Sequence, residues 1–127
     1  MMINSQENSR YKDLLVWQKS LSFADQVLAM VDNIETSRKH YRLFEQLEAA
    51  VTSVPMNIAE GKGRKSQKEF MQFLYIARGS LYETLTLLEI FHLRNWITNE
   101  QFDKFEQKSN EIAKMINSLI KAIARHL

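Results

Sequence analysis

The 127-residue chain has the length of one ordinary domain, with 45% hydrophobic and 25% charged residues and a formal net charge of +2. This composition excludes the low hydrophobicity and high charge of a disordered chain. Three glycines and one proline give too few turn signals for a sheet protein, so an all-α fold is expected. The absence of cysteine excludes disulfides, thiolate zinc sites and cysteine nucleophiles.

The sequence also indicates where in the cell the protein is located. The N-terminal residues are polar and contain no apolar segment of the kind found in secretory signals. No apolar run approaches roughly 18 residues, the length that spans a bilayer. A cytoplasmic protein with no membrane partner is therefore expected.

Apolar residues recur at steps of three and four through the first half of the chain, which is the spacing of one helix face. This spacing predicts a first helix over residues 11–34 and a second over residues 38–60. Pro55 lies inside the second helix and removes the amide that would bond to Val51, so a bend is expected there unless the helix ends early. Gly61 can adopt the left-handed conformation that ends a helix, and it follows the predicted last residue.

Capping patterns mark the second half of the chain. Ser66 with Glu69 predicts the start of a third helix over residues 67–95, each side chain accepting a hydrogen bond from a backbone N–H. The same pattern at Thr98 predicts a fourth helix over residues 99–126.

Four long helices joined by short loops are the elements of an antiparallel up-and-down four-helix bundle. We therefore predict a single domain with this fold over residues 1–127. Asn57 and Glu60 follow the proline bend, and we predict that they satisfy backbone groups left free by Pro55 and by the start of the third helix. Their predicted role is structural rather than catalytic.

The third predicted helix has more apolar surface than one core can use. Ile76, Leu87 and Ile90 lie well round from its inward stripe. Gly79 costs about 1 kcal/mol relative to alanine in mid-helix, which close approach by another helix would explain. These four residues are therefore predicted to form an interface between copies of the chain. The alternative is a broad core face with scattered exposed leucines.

No catalytic or metal site is predicted. Glu89 and His92 have the Glu-x-x-His spacing of a di-iron helix, but neither of the other two histidines has a glutamate three residues before it. His92 is therefore assigned to packing. The histidines form no local pattern for nucleophilic catalysis, so neither an enzyme nor a bound cofactor is expected.

Positive charge is concentrated in residues 61–78. This segment has five basic residues and one acidic residue, whereas the rest of the chain has 12 basic and 14 acidic residues. Its glycines lack the spacing of a nucleotide-binding loop, yet a loop that runs into a helix N-terminus offers free N–H groups to an anion. The segment is a candidate nucleic-acid site, with a solvated loop as the alternative. Its basic residues are Lys62, Arg64, Lys65, Lys68 and Arg78.

Several strings of residues are distinctive as a set: YKDL at 11–14, VWQK at 16–19, VPMNIAEG at 54–61, GRKS at 63–66, EF at 69–70 and FLYIARGSLYE at 73–83. Together they resemble the signature of the four-helix-bundle proteins encoded in intervening sequences of bacterial 23S rRNA genes, also called the S23 family. The chain departs from that pattern at Glu48 and Ala49, where relatives often have two arginines, and at Met56, where a small polar residue is usual.

The resemblance implies a ring-shaped homopentamer of four-helix bundles. A relative, the accessory protein of diversity-generating retroelements, binds a reverse transcriptase and nucleic acid through a basic surface, whereas most members have no established biochemical activity. The residues and the resemblance together favour a non-catalytic homo-oligomer that binds RNA or a nucleoprotein partner through the basic segment. The alternative hypothesis is a protein interaction scaffold that binds no nucleic acid.

Overall fold

The structure, a computed structural model, describes residues 10–36 and 40–127, which form five α-helices and, within these ranges, no strand. The all-α class predicted from the sequence is confirmed. The helices are α1 (Arg10–Asp13), α2 (Leu15–Asp32), α3 (Tyr41–Lys62), α4 (Gln67–Leu93) and α5 (Asn99–Ala124).

The predicted helices match these elements closely, apart from one break. Leu14 interrupts the first helix because its backbone is extended, with φ −73° and ψ 122°. The side-chain amide of Gln18 donates to the carbonyl oxygen of Lys12 at 2.6 Å and so bridges this break. The predicted start of the second helix, residues 38 and 39, lies outside the described residues.

Each long helix packs against two others. α3 contacts α2 and α4, and α5 contacts α4 and α2. α3 and α4 run in opposite directions, because Ser53 and Gly61 of α3 meet Ser80 and Phe73 of α4 in reverse order. The enclosed core is apolar, and its largest fully buried side chains are Phe23, Phe91, Leu47, Ile58, Leu74, Leu81, Leu88, Ile112 and Ile116.

The end of α3 differs from its prediction. The helix continues through the buried Pro55 to Lys62, so Gly61 lies inside it. No glycine has a positive φ, and Gly63 follows the helix with φ −80° and ψ −5°. The predicted left-handed end at Gly61 is therefore wrong.

Gly61 instead lets α3 and α4 approach each other. A Cβ atom placed on this buried glycine would lie 2.6 Å from the Cβ of Phe73 and 3.0 Å from a ring carbon of Phe70. Both distances are shorter than ordinary van der Waals contacts. The glycine is required here by interhelical packing rather than by backbone conformation.

The capping residues act as predicted at α5 and differ in one respect at α4. Thr98 and Gln101 form a reciprocal capping box at the start of α5. At α4 the hydroxyl of Ser66 accepts from the N–H of Glu69 at 3.1 Å. The carboxylate of Glu69 accepts from that hydroxyl at 3.2 Å, so the second half of the predicted box is replaced by a side-chain contact.

Asn95 ends α4. It has φ 61°, and its N–H donates to the carbonyl of His92 while that of Trp96 donates to Phe91. This pair of bonds is the Schellman motif, in which a left-handed residue satisfies the last helical carbonyls. The rings of Phe91 and Trp96 pack edge to face at 5.0 Å and complete it.

We predict that Gly61→Ala lowers the free energy of unfolding by about 1–3 kcal/mol, because the added methyl group overpacks the α3–α4 contact. The matched control is Gly63→Ala, whose nearest contact among the described residues would be the Glu60 carbonyl oxygen at 3.6 Å and which should leave stability nearly unchanged. Denaturant unfolding followed by circular dichroism measures both. Equal midpoints for the two variants would contradict the packing role of Gly61.

Candidate nucleic-acid interface

The short connection between α3 and α4 places four basic side chains close together in the chain. Lys62 is the last residue of α3, and Lys68 lies in the first turn of α4. Arg64 and Lys65 lie between the two helices. We refer to these four residues as the basic loop.

Two of the four cations have partners within the chain. The guanidinium of Arg64 donates to the Glu60 carboxylate at 2.9 Å and lies 4.8 Å from the ring centre of Phe73. The ammonium of Lys62 lies 5.5 Å from the ring centre of Phe70. These contacts hold the loop against α4 and reduce the charge that Arg64 presents.

Lys65 and Lys68 are exposed and have no hydrogen-bond or ion-pair partner among the described residues. They flank the N-terminus of α4, where Ser66 satisfies the N–H of Glu69. The N–H groups of Gln67 and Lys68 have no acceptor within the described chain and can bind an anion. A cleft of about 200 Å³ opens here, lined by Lys62, Arg64, Lys65, Ser66, Gln67 and Phe70.

Arg78 does not join the basic loop. It lies ten residues beyond Lys68, about 15 Å further along the α4 axis. Its guanidinium donates to the side-chain oxygen of Asn117 on α5 at 2.9 Å and packs 4.9 Å from the ring centre of Tyr75. The structure therefore places Arg78 at the α4–α5 contact.

Asn57 and Glu60 both have partners. The Asn57 amide donates to the carbonyl and the hydroxyl of Ser53, each at 2.8 Å. The Ser53 hydroxyl shares a hydrogen bond of 2.8 Å with Ser80, which links α3 to α4. Asn57 thus reaches a backbone acceptor, although not the Val51 carbonyl freed by the proline. Glu60 binds Arg64 rather than a backbone donor.

The four residues predicted to form the interface between copies differ in their exposure. Ile76 is 51% exposed, and no atom of the described chain, apart from the local backbone of the same helix and the two residues adjoining Gly79, lies within 4 Å of a Cβ placed on Gly79. Ile90 is half-buried against the core. Leu87 is buried in that core, so its predicted place on a second face is wrong. The buried face of α4 therefore extends further toward α3 than the apolar stripe in the sequence predicted.

His92 is engaged in local packing. Its ring stacks on Phe102 with centroids 4.6 Å apart, and its Nε2 lies 2.5 Å from the Asn99 side-chain oxygen. No group of three or more potential metal ligands occurs among the described residues. Glu89 and His92 therefore have no partners there for a metal site.

The sequence prediction missed an apolar groove between α2 and α3, next to α1. It has a volume of about 810 Å³, and Trp17, Leu21, Leu28, Pro55 and Met56 contribute its apolar walls. Met56 is 67% exposed, and Leu21 is 47% exposed. The available signal was the apolar stripe of α2, which includes Trp17, Leu21 and Leu28.

Comparison with known proteins places the chain in a family. The family model for the 23S rRNA-intervening sequence protein matches residues 12–118. The chain belongs to this family. The matched range contains the basic loop and the lining residues of the groove except Tyr11.

A solved structure agrees with this assignment. It is the crystal structure of a protein of unknown function from the S23 ribosomal protein family of Bacteroides thetaiotaomicron, 31% identical, with a TM-score of 0.79. The alignment covers 84% of this chain and 99% of that one. No curated protein matches the chain. As for the membrane, none of the helices in the described ranges has the length and apolarity needed to cross one.

We predict that Asn57→Ala lowers the free energy of unfolding by about 1 kcal/mol relative to Asn110→Ala, because it removes two hydrogen bonds to Ser53. Asn110 is an exposed helical asparagine with no partner in the described chain, so its replacement reports the change in helix propensity alone. Denaturant midpoints measure the difference. A difference of zero would argue against the structural role of Asn57.

Proposed function

We propose that this 23S rRNA-intervening sequence protein is a non-catalytic homo-oligomer of four-helix bundles that binds RNA through its basic loop. The observation that supports it most is the position of Lys65 and Lys68, which have no partner among the described residues, at the N-terminus of α4. Cations and free N–H groups at one place are suited to phosphate oxygens. In this proposal α2 to α5 constitute the antiparallel up-and-down bundle.

In this proposal, the copies of the basic loop in one oligomer together supply the affinity for RNA. Each chain has four cations in the basic loop against the carboxylates of Glu60 and Glu69, an excess of two charges. Such an excess on one chain binds a polyanion weakly. A ring of five copies, the number that the family resemblance implies, would present roughly ten excess charges to one RNA.

Binding through phosphate contacts has a characteristic dependence on RNA sequence and on salt. Contacts to phosphates carry no sequence information, so the affinity should be indifferent to sequence and fall steeply as salt rises. The proposal includes no catalytic step, because the Ser66 hydroxyl and the Glu69 carboxylate beside the cations bond to each other at the cap of α4.

We predict that the protein is a homo-oligomer in solution, with five chains as the expected number. Light scattering coupled to size-exclusion chromatography at micromolar concentration should give a multiple of the 15.0 kDa chain mass. A mass of one chain would contradict the homo-oligomer.

We predict that replacing Lys62, Arg64, Lys65 and Lys68 together with glutamine abolishes RNA binding. The loss follows because these side chains supply the cations that contact phosphate. Fluorescence anisotropy with a labelled single-stranded RNA, repeated over a range of salt concentrations, measures the affinity and its salt slope. Circular dichroism and light scattering should show unchanged helix content and assembly.

The matched control removes the same number of charges elsewhere, at the exposed residues Lys104, Lys114 and Lys121 of α5 and at Arg125, which follows that helix. This variant should retain most of the affinity. Glu60→Gln frees Arg64 and should raise the affinity and steepen the salt slope. Parent affinity and slope in the loop variant would overturn the proposal in favour of a protein scaffold.

A further inference from the structure

The apolar groove between α2 and α3 has an aromatic end. Tyr11 of α1 and Trp17 of α2 line it there and pack edge to face, with ring centres 5.2 Å apart. Leu28 also lines the groove, about 16 Å beyond Trp17 at the helical rise of about 1.5 Å per residue. This length corresponds to about three turns of an added helix.

The relative direction of α2 and α3 follows from hydrogen bonds in the rest of the bundle. Two such bonds join α2 to α5 in reverse order, between Lys19 and Glu111 and between Gln26 and Lys108. The contacts of α5 with α4, and of α4 with α3, are also in reverse order. α2 and α3 therefore run in opposite directions, and the end of α2 lies beside the start of α3.

Beyond its apolar walls, the groove continues between carboxylates of both helices. Asp25 lines the groove, and Asp32 follows it by seven residues, about two turns along the same face of α2. On α3, Glu48 and Glu45 precede the groove residue Thr52 by four and seven residues and so share its face. Because the helices are antiparallel, these carboxylates lie toward the same end of the groove. We refer to Asp25, Asp32, Glu45 and Glu48 as the acidic end.

The charge of the acidic end is not neutralised within the described chain. Three of its side chains are exposed and that of Glu48 is partly buried, and none has a hydrogen-bond or ion-pair partner among the described residues. No three of them are grouped closely enough to hold a metal ion. Lys12 of α1 is at the aromatic end, with its ammonium 6.0 Å from the ring centre of Tyr11. The acidic end therefore attracts a row of spaced positive charges and repels RNA.

The length and the walls of this surface favour a helix as its occupant. From Trp17 to Asp32 the surface extends about 22 Å, which is too long for a small molecule to contact both ends. Both walls are helices, whose backbone groups bond internally, and the described chain has no strand edge with which an extended peptide could pair. A helix satisfies its own backbone and binds such a groove through apolar side chains on one face.

We propose that the groove and the acidic end together bind a basic amphipathic helix of another protein. Apolar side chains of that helix, spaced by three and four residues, cover Trp17, Leu21 and Met56. Lysine or arginine side chains over two turns at one of its ends pair with the acidic end.

Charge argues against an occupant from this chain. Each of the four long helices carries acidic as well as basic residues, so a second copy offers no uniformly basic helix. Residues 1–9 contain one acidic and no basic residue. The proposed surface does not depend on RNA binding, because the acidic end and the basic loop lie at opposite ends of α3.

The test uses a synthetic, fluorescein-labelled helix of about 18 residues, long enough to cover the surface. It has leucine at spacings of three and four residues, lysine on the polar face of its last two turns, and alanine and glutamine elsewhere. Fluorescence anisotropy with the full-length protein should show binding that weakens as salt rises. The same peptide with glutamate in place of lysine should bind about tenfold more weakly, or less.

Two variants of the protein each remove one part of the surface. Met56→Arg fills the groove, and its position is exposed, so the variant should fold, as circular dichroism will verify. The second variant replaces the carboxylates of the acidic end with amides, through Asp25→Asn, Asp32→Asn, Glu45→Gln and Glu48→Gln. Each variant should bind the lysine peptide about tenfold more weakly than the parent protein, and the second should also flatten the salt dependence.

The matched control neutralises four exposed carboxylates elsewhere on α4 and α5 and should keep the parent affinity; these are Glu83, Glu89, Glu100 and Asp103. The proposal is overturned if the lysine peptide fails to bind, if the two peptides bind equally, or if either surface variant keeps the parent affinity. It is also wrong if Met56→Arg lowers the mass measured by light scattering, because the groove then holds a second copy. The glutamine variant of the basic loop should bind the lysine peptide as the parent does, so a failure of RNA binding leaves this inference standing.

Discussion

The close contact between α3 and α4 at Gly61 is the constraint on which the rest of the structure depends. Because this position has no side chain, the end of α3 lies directly against Phe70 and Phe73 of α4. The chain can then reverse direction between α3 and α4 through a very short connection. This connection brings the four cations of the basic loop together. The hydrogen bond between Ser53 and Ser80 continues the same contact two turns away and fixes the relative height of the two helices.

The packing of α3 against α4 also separates the cations of the basic loop into two pairs. Cations that lie over Phe70 and Phe73 are held in place, and Glu60 offsets one of them. Cations further out, at Lys65 and Lys68, remain open to solvent. Exposed charge interacts weakly in high dielectric, so a single copy of this loop is a poor site. Self-association and nucleic-acid binding are therefore linked in the proposed function, since the first multiplies the charge that the second requires.

Periodicity and capping were sufficient to predict the helices, because both depend on residues close in sequence. Ser66 and Thr98 begin α4 and α5 as expected, since an N-cap bonds only three residues ahead. Gly61 and Leu87 were misplaced for the opposite reason. Whether glycine serves a turn or a close approach, and whether a leucine at the edge of a stripe is covered, depends on a neighbouring helix that local pattern does not contain.

The sequence by itself determined the all-α class, the family, the helix starts and the concentration of positive charge in residues 61–78. Only the tertiary structure separated Arg78 from the basic loop, paired Arg64 with Glu60 and opened the groove at Met56. The physical reason is that charge content is a property of a segment, whereas charge neutralisation and burial require atoms of different segments within a few ångströms. Those distances are set by how α2 to α5 pack.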